Sequence, residues 1–579
     1  MKLRYTILLC FVALPALADQ PAQAPSKASA SSTAPAKSSA AQSPAPHGTA
    51  AATVPLPNGT AKTDQGETEQ IKAEQPKHEP AGSEHPGAIQ EAARGHHHPE
   101  QSPGPSAASA VSAEAVDETP VATHHKITVG GKTIAYTATV AQMPIKNARG
   151  ETEAHIFYMA YTLDGADRAK RPLTFAFNGG PGSASIWVHM GAMGPRSPKL
   201  TDKGDMPPPP FQLIDDESTW LDQTDLVFID PVGTGYSRAK TPEIAHQLNG
   251  VRGDIQSVGE FIRMYITRND RWLSPLFLAG ESYGTFRAAG LAGTLIEKGI
   301  AFNGIVLIST VLNMGVLEED LFNGLPTALH LPTYTADAWY HKKLPADLQQ
   351  KDLKAVLKES EHWAMNDYVS ILNRGSDLSA AERKAAVGKL ARYTGIEPRY
   401  IDDSDLRVES GHFARQLLKD QKLVIGGYDG RLTAPAPLSI EDRVEFDPAG
   451  SLVRPPFEAA FEQYIRDELG YKTDMVYNVL VHLPWDWESS NGYAETTGLL
   501  RSAFMKNPHL KVMVCAGYYD NVTPYFSVQY TFNHLGLHPE MLKNVDWQYY
   551  EAGHMMYIDR DSHRKLKQDF ADFVKRAMP

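Results

Sequence analysis

The pattern of hydrophobic and polar positions changes along this chain and predicts its elements. From residue 124, the stretch HKITVGGKTIAYTATV alternates polar and apolar residues around a Gly-Gly pair, which predicts a β-hairpin. AHIFYMAYTL predicts a further strand. After these, short continuous apolar runs recur, each ending at Gly, Asp or Ser: PLTFAF, DLVFID, LFLAG, GIVLIST and LKVMVCAG. Helical patterns lie between several of these runs, as at 258–267 and 286–297.

Continuous apolar strands that alternate with helices indicate a mostly parallel sheet, with helices on both faces. Between residues 312 and 500 this rhythm breaks, and helix formers dominate, as in LPADLQQKDLKAVLKESEHW. We therefore predict an α/β core made of residues 124–311 and 501–579, with a largely helical cap inserted at 312–500. A final helix is predicted at 562–576.

The first 123 residues have a different character. Residues 1–18 begin with two basic residues, continue with a short apolar run and end in Ala-Leu-Ala, which is typical of a cleavable secretory signal peptide. Residues 19–123 are rich in Ala, Pro, Ser, Gln, Glu and His and are nearly free of aromatic residues. Such a segment buries too little apolar surface to offset its ordering entropy, so we predict a disordered linker and an exported protein.

The net charge and the cysteine content argue against several kinds of partner and site. The net charge of −12 argues against a nucleic-acid partner. Signal cleavage would remove Cys10 and leave Cys515 alone, so we expect neither an internal disulfide nor a cysteine zinc site. We predict no metal, no cofactor and no membrane span. The sequence does not determine the oligomeric state.

The motif LFLAGESYG carries the first chemical signal. It reads as a strand, a sharp turn and a helix, and its Gly-x-Ser-x-Gly pattern places Ser282 at the turn. Glycines permit a tight turn that exposes a serine hydroxyl at a helix N-terminus. A serine nucleophile also needs a base and donors for an oxyanion. The alternative is a turn serine that caps a helix, but the strand and helix context favours catalysis.

Two later motifs supply partners for this serine. VMVCAGYYDNVTP places Asp520 just beyond a buried strand, and WQYYEAGHMMYID places His554 in a glycine-led loop. The order serine, acid, histidine is that of the α/β-hydrolase fold. The histidine would accept the serine proton, and the aspartate would fix its tautomer. An ordinary turn carboxylate and a packed surface histidine are the alternatives for each residue alone, but three strand-end positions in this order favour a triad.

The glycine-rich stretch FAFNGGPGSAS follows an earlier predicted strand. Its backbone can approach a substrate closely, so we expect it to provide one oxyanion donor. The N–H of Tyr283, the residue after the nucleophile, would be the second donor. A purely structural turn is the alternative for this stretch.

Taken together, NGGPGSAS, DLVFIDPVGTGYSRA, LFLAGESYG, AGYYD and AGHMMYIDR resemble the serine carboxypeptidase family of α/β-hydrolases. These motifs spread over most of the predicted folded part, in the family's order. The resemblance implies an enzyme that removes single residues from peptide C-termini, with Ser282 as nucleophile, Asp520 as acid and His554 as base.

The resemblance also implies roles around the triad. Gly180 and Tyr283 would be the oxyanion donors, and Asn178, Gly179 and Glu281 would bind the terminal carboxylate of a peptide substrate. A carboxyl group beside another carboxylate must hold a proton, which raises its pKa. The family is accordingly known for activity at acidic pH.

The chain departs from the family's pattern at several positions. A second glutamate, paired with the one before the serine, is usual in the family where this chain has Ala192. His189 and Arg196 are candidates to compensate for it. Ser183 replaces the family's usual cysteine, and no proline follows Phe286. Two other functions therefore remain open: a different hydrolase with the same triad, such as an aminopeptidase, esterase or acyltransferase, and a non-catalytic binding protein.

Overall fold

A computed structural model of the chain describes residues 116–578, except 437, 439, 441–443 and 445. The predicted signal peptide 1–18 and the predicted linker up to residue 115 lie outside the described residues. The first strand begins at Val121, so the last three residues of the predicted linker belong to the sheet. Pairing with the next strand explains this early start, because Val121 lies opposite Val140.

The described residues form fourteen strands. Their bounds are β1 (Val121–Val129), β2 (Lys132–Lys146), β3 (Thr152–Leu163), β4 (Leu173–Phe177), β5 (Arg196–Pro198), β6 (Leu213–Asp215), β7 (Asp225–Ile229), β8 (Arg238–Ala239), β9 (Leu276–Glu281), β10 (Gly304–Ile308), β11 (Leu423–Ile425), β12 (Thr433–Pro435), β13 (Lys511–Gly517) and β14 (Val545–Tyr550).

One large sheet organises the molecule. Its strand order is β1-β2-β3-β7-β4-β9-β10-β13-β14, and β8 pairs with β3. The first three strands pair antiparallel, and β3 pairs antiparallel with β7. From β7 to β14 every pairing is parallel. The carboxyl ends of the parallel strands therefore meet at one edge, where functional residues of such sheets gather.

The described α-helices connect and cover these strands. Their bounds are α1 (Pro242–Leu248), α2 (Val251–Arg268), α3 (Tyr283–Leu295), α4 (Gly324–Tyr340), α5 (Ala346–Gln349), α6 (Leu353–Trp363), α7 (Val369–Arg374), α8 (Ala380–Thr394), α9 (Pro398–Asp403), α10 (Ser410–Gln416), α11 (Pro448–Gln463), α12 (Thr497–Lys506), α13 (Tyr525–Asn533), α14 (Pro539–Leu542) and α15 (Arg560–Ala577).

The parallel strands are buried on both faces because their side chains alternate between two apolar cores. In β9, Leu276 and Leu278 enter the core shared with α2, α3 and α12. Phe277 and Ala279 enter the opposite core, which contains residues of α11 and α15. Alternation along a strand explains how one continuous apolar run serves both faces. This sheet, with its helices on both sides, confirms the predicted α/β-hydrolase fold.

Between β10 and β13, the residues that the structure describes form α4 to α12 and only one short strand pair, β11 and β12. Helices α4, α6, α8 and α10 pack around an apolar core of their own, which includes Leu331, Val356, Leu390 and Phe413. The predicted assignment of 312–500 to a separate cap, with 124–311 and 501–579 as the core, stays a prediction. Within the described residues, no helix combines the length and apolarity needed to span a membrane.

Candidate active site

A sharp turn between β9 and α3 presents Ser282. The residue has φ 59° and ψ −132°, a conformation that is costly for a residue with a side chain. Its N–H donates to the carbonyl of Ile308 at 2.9 Å, at the end of the neighbouring strand β10. The tightness of the turn explains the flanking glycines, since a Cβ on Gly280 would lie 2.2 Å from the carbonyl oxygen of Gly284. This is the strand, strained turn and helix that the motif predicts.

The glycine-rich loop after β4 lies directly against this turn. A Cβ on Gly179 would be 2.4 Å from the backbone nitrogen of Tyr283, so only glycine allows this approach. Gly180 has φ 102°, in the region that favours glycine, and it is exposed to solvent. The structure therefore brings the two sequence-predicted oxyanion donors, Gly180 and Tyr283, to the same edge of the sheet.

Asp520 and His554 form a buried hydrogen-bonded pair. Asp520 follows β13, His554 follows β14, and His554 Nδ1 lies 2.8 Å from Asp520 Oδ2. Both side chains are almost fully shielded from solvent, at 0% and 1% exposure. The other donors to Asp520 are the N–H groups of Val522 and Thr523, both at 2.9 Å from Oδ1, and the Thr523 hydroxyl, at 2.7 Å from Oδ2. Both carboxylate oxygens of Asp520 are thus held by hydrogen bonds.

The pKa of His554 is raised above its ordinary value. Burial acts to lower this pKa, because it disfavours the charged imidazolium. The negative charge of Asp520 and the hydrogen bond to it outweigh the burial. The pair is therefore arranged to stabilise a protonated histidine, as a general base requires when it takes a proton.

The backbone of His554 is held from two directions. Its N–H donates to the carbonyl of Tyr428 at 2.6 Å, and its carbonyl accepts from the hydroxyl of Ser309 at 2.6 Å. Ser309 directly follows Ile308, the residue that accepts from the N–H of Ser282. The end of β10 thus joins the serine turn to the loop that carries His554, the partner of Asp520.

Glu281 directly precedes the serine and is buried. Its Oε2 accepts from the Asn178 side-chain amide at 2.8 Å and from the hydroxyl of Tyr557. Asn178 is itself fixed, because its Oδ1 accepts from the N–H of Val188 at 3.0 Å. Its carbonyl accepts from the buried Arg287 guanidinium at 2.7 Å. Asn178, Gly179 and Glu281 therefore lie together beside Ser282, and their binding of a terminal carboxylate stays a prediction.

Burial raises the pKa of Glu281 to about 7. The positive charge of a protonated His554 and the hydrogen bonds from Tyr557 and Asn178 lower this pKa, but they do not cancel the effect of burial. A neutral carboxyl group is a hydrogen-bond donor as well as an acceptor. Glu281 can therefore hold a proton beside Ser282 up to about neutral pH.

Neither residue suggested as a substitute for the second glutamate reaches Glu281. His189 Nε2 lies 2.7 Å from the hydroxyl of Tyr161, in the buried core, and burial lowers the pKa of this histidine to about 3. Arg196 forms ion pairs with Asp215 at 2.5 Å and Glu468 at 2.7 Å. The sequence pattern could not separate these residues from ordinary core and surface positions. Besides Asn178, the donor that reaches Glu281 is Tyr557.

An aromatic group borders the site on the side of α3. The ring of Tyr283 stacks on Phe286 with 5.2 Å between centroids. Trp485 and Trp487 pack edge-on against the same tyrosine, at 5.3 and 5.7 Å. These tryptophans come from the irregular segment between α11 and α12, which also pairs with the glycine-rich loop through Val481 N–H and the Gly182 carbonyl at 3.0 Å.

The sequence motifs did not identify four residues that contact the site: Ser309, Tyr428, Thr523 and Tyr557. Thr523 and Tyr557 lie three residues after Asp520 and His554, so nearness to a predicted catalytic residue was a usable signal for these two. Ser309 follows a predicted strand, which is a weaker signal. Tyr428 lies far from every motif, and no local pattern marks it.

The geometry defines the class of protein. A parallel sheet presents a strained serine, a buried histidine–aspartate pair and a glycine-rich loop at the carboxyl ends of its strands, which is the arrangement of an α/β-hydrolase site. The family model described as "Serine carboxypeptidase" matches residues 145–417, just under half of the chain. This match confirms the resemblance to the serine carboxypeptidase family that the motifs predict.

Curated relatives are similar over shorter stretches. Serine carboxypeptidase-like 16 of Arabidopsis thaliana is 28% identical over 23% of this chain and 30% of that protein. Pheromone-processing carboxypeptidase KEX1 of Uncinocarpus reesii is 33% identical over 21% of this chain and 17% of that protein. The chain thus spans less than a third of the length of these relatives.

Solved structures show distant likeness. A thermophilic esterase from Thermogutta terrifontis aligns at 9% identity with a TM-score of 0.31, over 76% of this chain and 99% of that chain. A putative aryl esterase from Burkholderia cenocepacia aligns at 12% identity with a TM-score of 0.30, over 75% of this chain and 98% of that chain. The strand order of the sheet and the serine turn define the fold.

Proposed function

We propose that this protein is an exported serine-type carboxypeptidase that removes single residues from the C-termini of peptides. The observation that carries the proposal is Glu281, a buried carboxyl group that lies next to the serine turn and holds a proton up to about neutral pH. A neutral carboxyl can donate a hydrogen bond to a terminal carboxylate, which an ionised one would repel. The family match supports the same reaction class.

The reaction begins with acylation. Ser282 Oγ attacks the carbonyl carbon of the last peptide bond, and its proton passes to His554 Nε2. The developing oxyanion binds the N–H groups of Gly180 and Tyr283. The C–N bond then breaks, His554 returns the proton to the leaving amine, and the last residue departs as a free amino acid. The remaining peptide is bound to Ser282 as an ester.

Hydrolysis of this ester completes the cycle. His554 takes a proton from water, and the resulting hydroxide attacks the acyl carbon. The Ser282 Oγ–C bond breaks, Oγ regains a proton from His554, and the shortened peptide leaves. Asp520 stabilises the imidazolium in both halves of the reaction. Asn178, Gly179 and Glu281 hold the terminal carboxylate during acylation, which places the last peptide bond at Ser282.

A blocked peptide and its C-terminal amide test the proposal. Purified protein and a Ser282→Ala variant are incubated with both peptides from pH 4 to 8, and products are measured by mass spectrometry. We expect stepwise loss of residues from the free-acid peptide, much slower loss from the amide, and no loss with Ser282→Ala. Equal trimming of both peptides, or trimming that persists in the variant, would contradict the assignment.

A second hydrolase activity is the alternative, and Ala192 favours it, because the carboxyl group that usually pairs with Glu281 in the family is absent there. An ester substrate without a free carboxylate is included for this reason. Cleavage of the ester alone, sensitive to Ser282→Ala, would assign an esterase, acyltransferase or aminopeptidase with the same triad. Lack of cleavage of every substrate would favour a binding protein.

Export is proposed from residues 1–18 and is tested separately. Expression in a bacterial host followed by fractionation and N-terminal sequencing should find the mature chain outside the cytoplasm, beginning near residue 19. A chain that retains Met1 and stays in the cytoplasm would contradict export, with no bearing on the catalytic proposal.

A further inference from the structure

Tyr557 makes a contact that neither the motifs nor the family match assigns. Its hydroxyl donates to Glu281 Oε2, the same oxygen that accepts from the Asn178 amide. Glu281 and Tyr557 are each only 3% exposed, so water does not compete freely for this hydrogen bond. Both donors address one carboxylate oxygen, which leaves Oε1 as the oxygen that carries the proton when Glu281 is neutral.

Packing fixes the tyrosine ring in this position. The short helical turn Val188–Met193 lies against it, and a Cβ on Gly191 would be 2.8 Å from Tyr557 Cε2. Ala192, in the same turn, is fully buried in the apolar core that also contains Tyr557. Where the family usually carries a second carboxyl group, this turn has the small residue Ala192, and the ring of Tyr557 packs closely against the neighbouring Gly191.

A phenol and a carboxyl group are different partners for Glu281. Two carboxyl groups share one proton and titrate as a coupled pair. Burial and the charge of Glu281 raise the pKa of Tyr557 far above its ordinary value, so the phenol keeps its own proton across the working range of an enzyme. It donates to Glu281 in either protonation state and never takes the proton of Glu281.

We propose that Tyr557 is a positioning residue that holds Glu281 by Oε2, so that Glu281 Oε1 presents the proton to the terminal carboxylate of the peptide. The inference rests on the proposed carboxypeptidase function and deepens it. It predicts that substrate binding is lost in a single titration of Glu281, with a midpoint that depends on the Tyr557 hydroxyl.

Other charged or titratable groups also influence Glu281. They are His554 and Asp520 from the loops after β14 and β13, and Tyr428 from the segment after β11. A protonated His554 favours ionisation of Glu281, and the negative charge of Asp520 disfavours it. Because His554 and Asp520 are needed for all substrates, a change in the charge of His554 affects an ester and a free-acid peptide alike. Only the titration of Glu281 should distinguish the two substrates.

The test compares Tyr557→Phe with the wild type. We measure kcat/KM from pH 5 to 9 for a blocked free-acid peptide and for a matched ester. The wild type should lose activity on the peptide, but not on the ester, above about pH 7. Phenylalanine removes a hydrogen bond that favours the ionised form of Glu281. The alkaline limb of the profile, where activity on the peptide falls, should therefore move upward by about one pH unit. The shift should lie in KM rather than kcat.

Tyr525→Phe is the matched control. Tyr525 is also buried, and its hydroxyl donates to Glu361 Oε1 at 2.8 Å, away from the serine turn. This variant should keep the wild-type pH profile. A second variant that preserves the ring carries 3,5-difluorotyrosine at position 557. Its hydroxyl is a stronger donor, so the alkaline limb should move downward, opposite to the shift in Tyr557→Phe.

The outcomes separate the two proposals. If the wild type releases no residue from the free-acid peptide, the carboxypeptidase function fails, and this inference fails with it. If the wild type trims the peptide with an alkaline limb that moves in neither variant, only the role of Tyr557 is overturned. A general loss of activity on both substrates without a shift of the limb would likewise reduce Tyr557 to a packing residue.

Discussion

Two buried carboxyl groups of the candidate site have contrasting surroundings. Asp520 accepts hydrogen bonds on both oxygens from Val522, Thr523 and His554. Glu281 accepts on a single oxygen, and burial raises its pKa to about 7. Both groups are shielded from water, so they differ in the number and placement of their hydrogen-bond donors rather than in exposure. Burial favours the neutral form of Glu281, which is therefore suited to hold a proton.

The largest expected effect comes from a substitution of Asp520, the partner of His554. Asp520→Asn keeps the shape of the side chain but presents the wrong partner to His554 Nδ1, so the imidazolium loses its stabilisation. We expect kcat to fall by about 10⁴-fold on peptide and ester alike. Steady-state kinetics on both substrates checks this, with Asp546→Asn as a control because Asp546 pairs with Arg576 on the surface. A loss confined to the peptide would place Asp520 outside the triad.

Glu281→Gln removes the second buried carboxyl group and leaves the three predicted triad residues unchanged. Glutamine cannot ionise, so the variant should lack the alkaline limb that the wild type shows with free-acid peptides. In the wild type, kcat/KM for the peptide should fall by about tenfold for each pH unit above about 7. The ratio of kcat/KM at pH 6 to that at pH 8 measures the difference. If this ratio is the same in both proteins, Glu281 does not hold the proton that binds the substrate.

Thr523→Val makes a smaller change around Asp520. It removes the hydroxyl that donates to Asp520 Oδ2 at 2.7 Å. The loss of one hydrogen bond to a charged group costs about 1.5–3 kcal/mol, so kcat should fall by about 10- to 150-fold on both substrates. Thr531→Val is the control, since its hydroxyl donates to the Ser527 carbonyl within α13. If Thr523→Val instead shifts only the pH dependence of kcat/KM for the peptide, Thr523 acts on Glu281 rather than on Asp520.

The smallest effect concerns stability. Glu281 ionises near pH 4.5 in an unfolded chain and near pH 7 in the folded one, because burial disfavours its charge. Its neutral form therefore contributes stability that is complete below about pH 4.5 and is lost as the pH rises to about 7. We expect the Tm of Glu281→Gln to fall less than that of the wild type between pH 4.5 and 8. Calorimetry across this range checks the sign, and parallel Tm curves would refute it.

Local patterns predicted most of the fold that positions the site. Each apolar run became a strand of the large sheet, because a strand buried on both faces needs apolar residues at every position. The Gly-Gly pair at 130–131 joins β1 and β2 as predicted. The boundary at residue 123 was less exact, because the polar residues of β1 alternate with half-buried ones and resemble the preceding linker. Pairing with β2, rather than local composition, sets the start of β1.

In the candidate site, too, some residues were predictable from local patterns and others were not. Ser282, Asp520 and His554 each follow a recognisable strand in a fixed order, so their meeting at one edge of the sheet follows from the topology. His189 and Arg196 show the limit of such reasoning. Both lie near the glycine-rich loop in the chain, yet His189 points into the core and Arg196 pairs with acidic residues elsewhere.

By itself, the sequence determined the α/β fold, the nucleophile turn, and the candidates for acid, base and oxyanion donors, because these depend on short-range spacing and on the order of strands. Only the tertiary structure decided which side chains surround Glu281 and His554. Tyr557 and Tyr428 come from loops distant in sequence from Glu281, and their contacts depend on how those loops pack. The protonation of a buried carboxyl depends on the donors around it, and those donors are chosen by packing rather than by spacing along the chain.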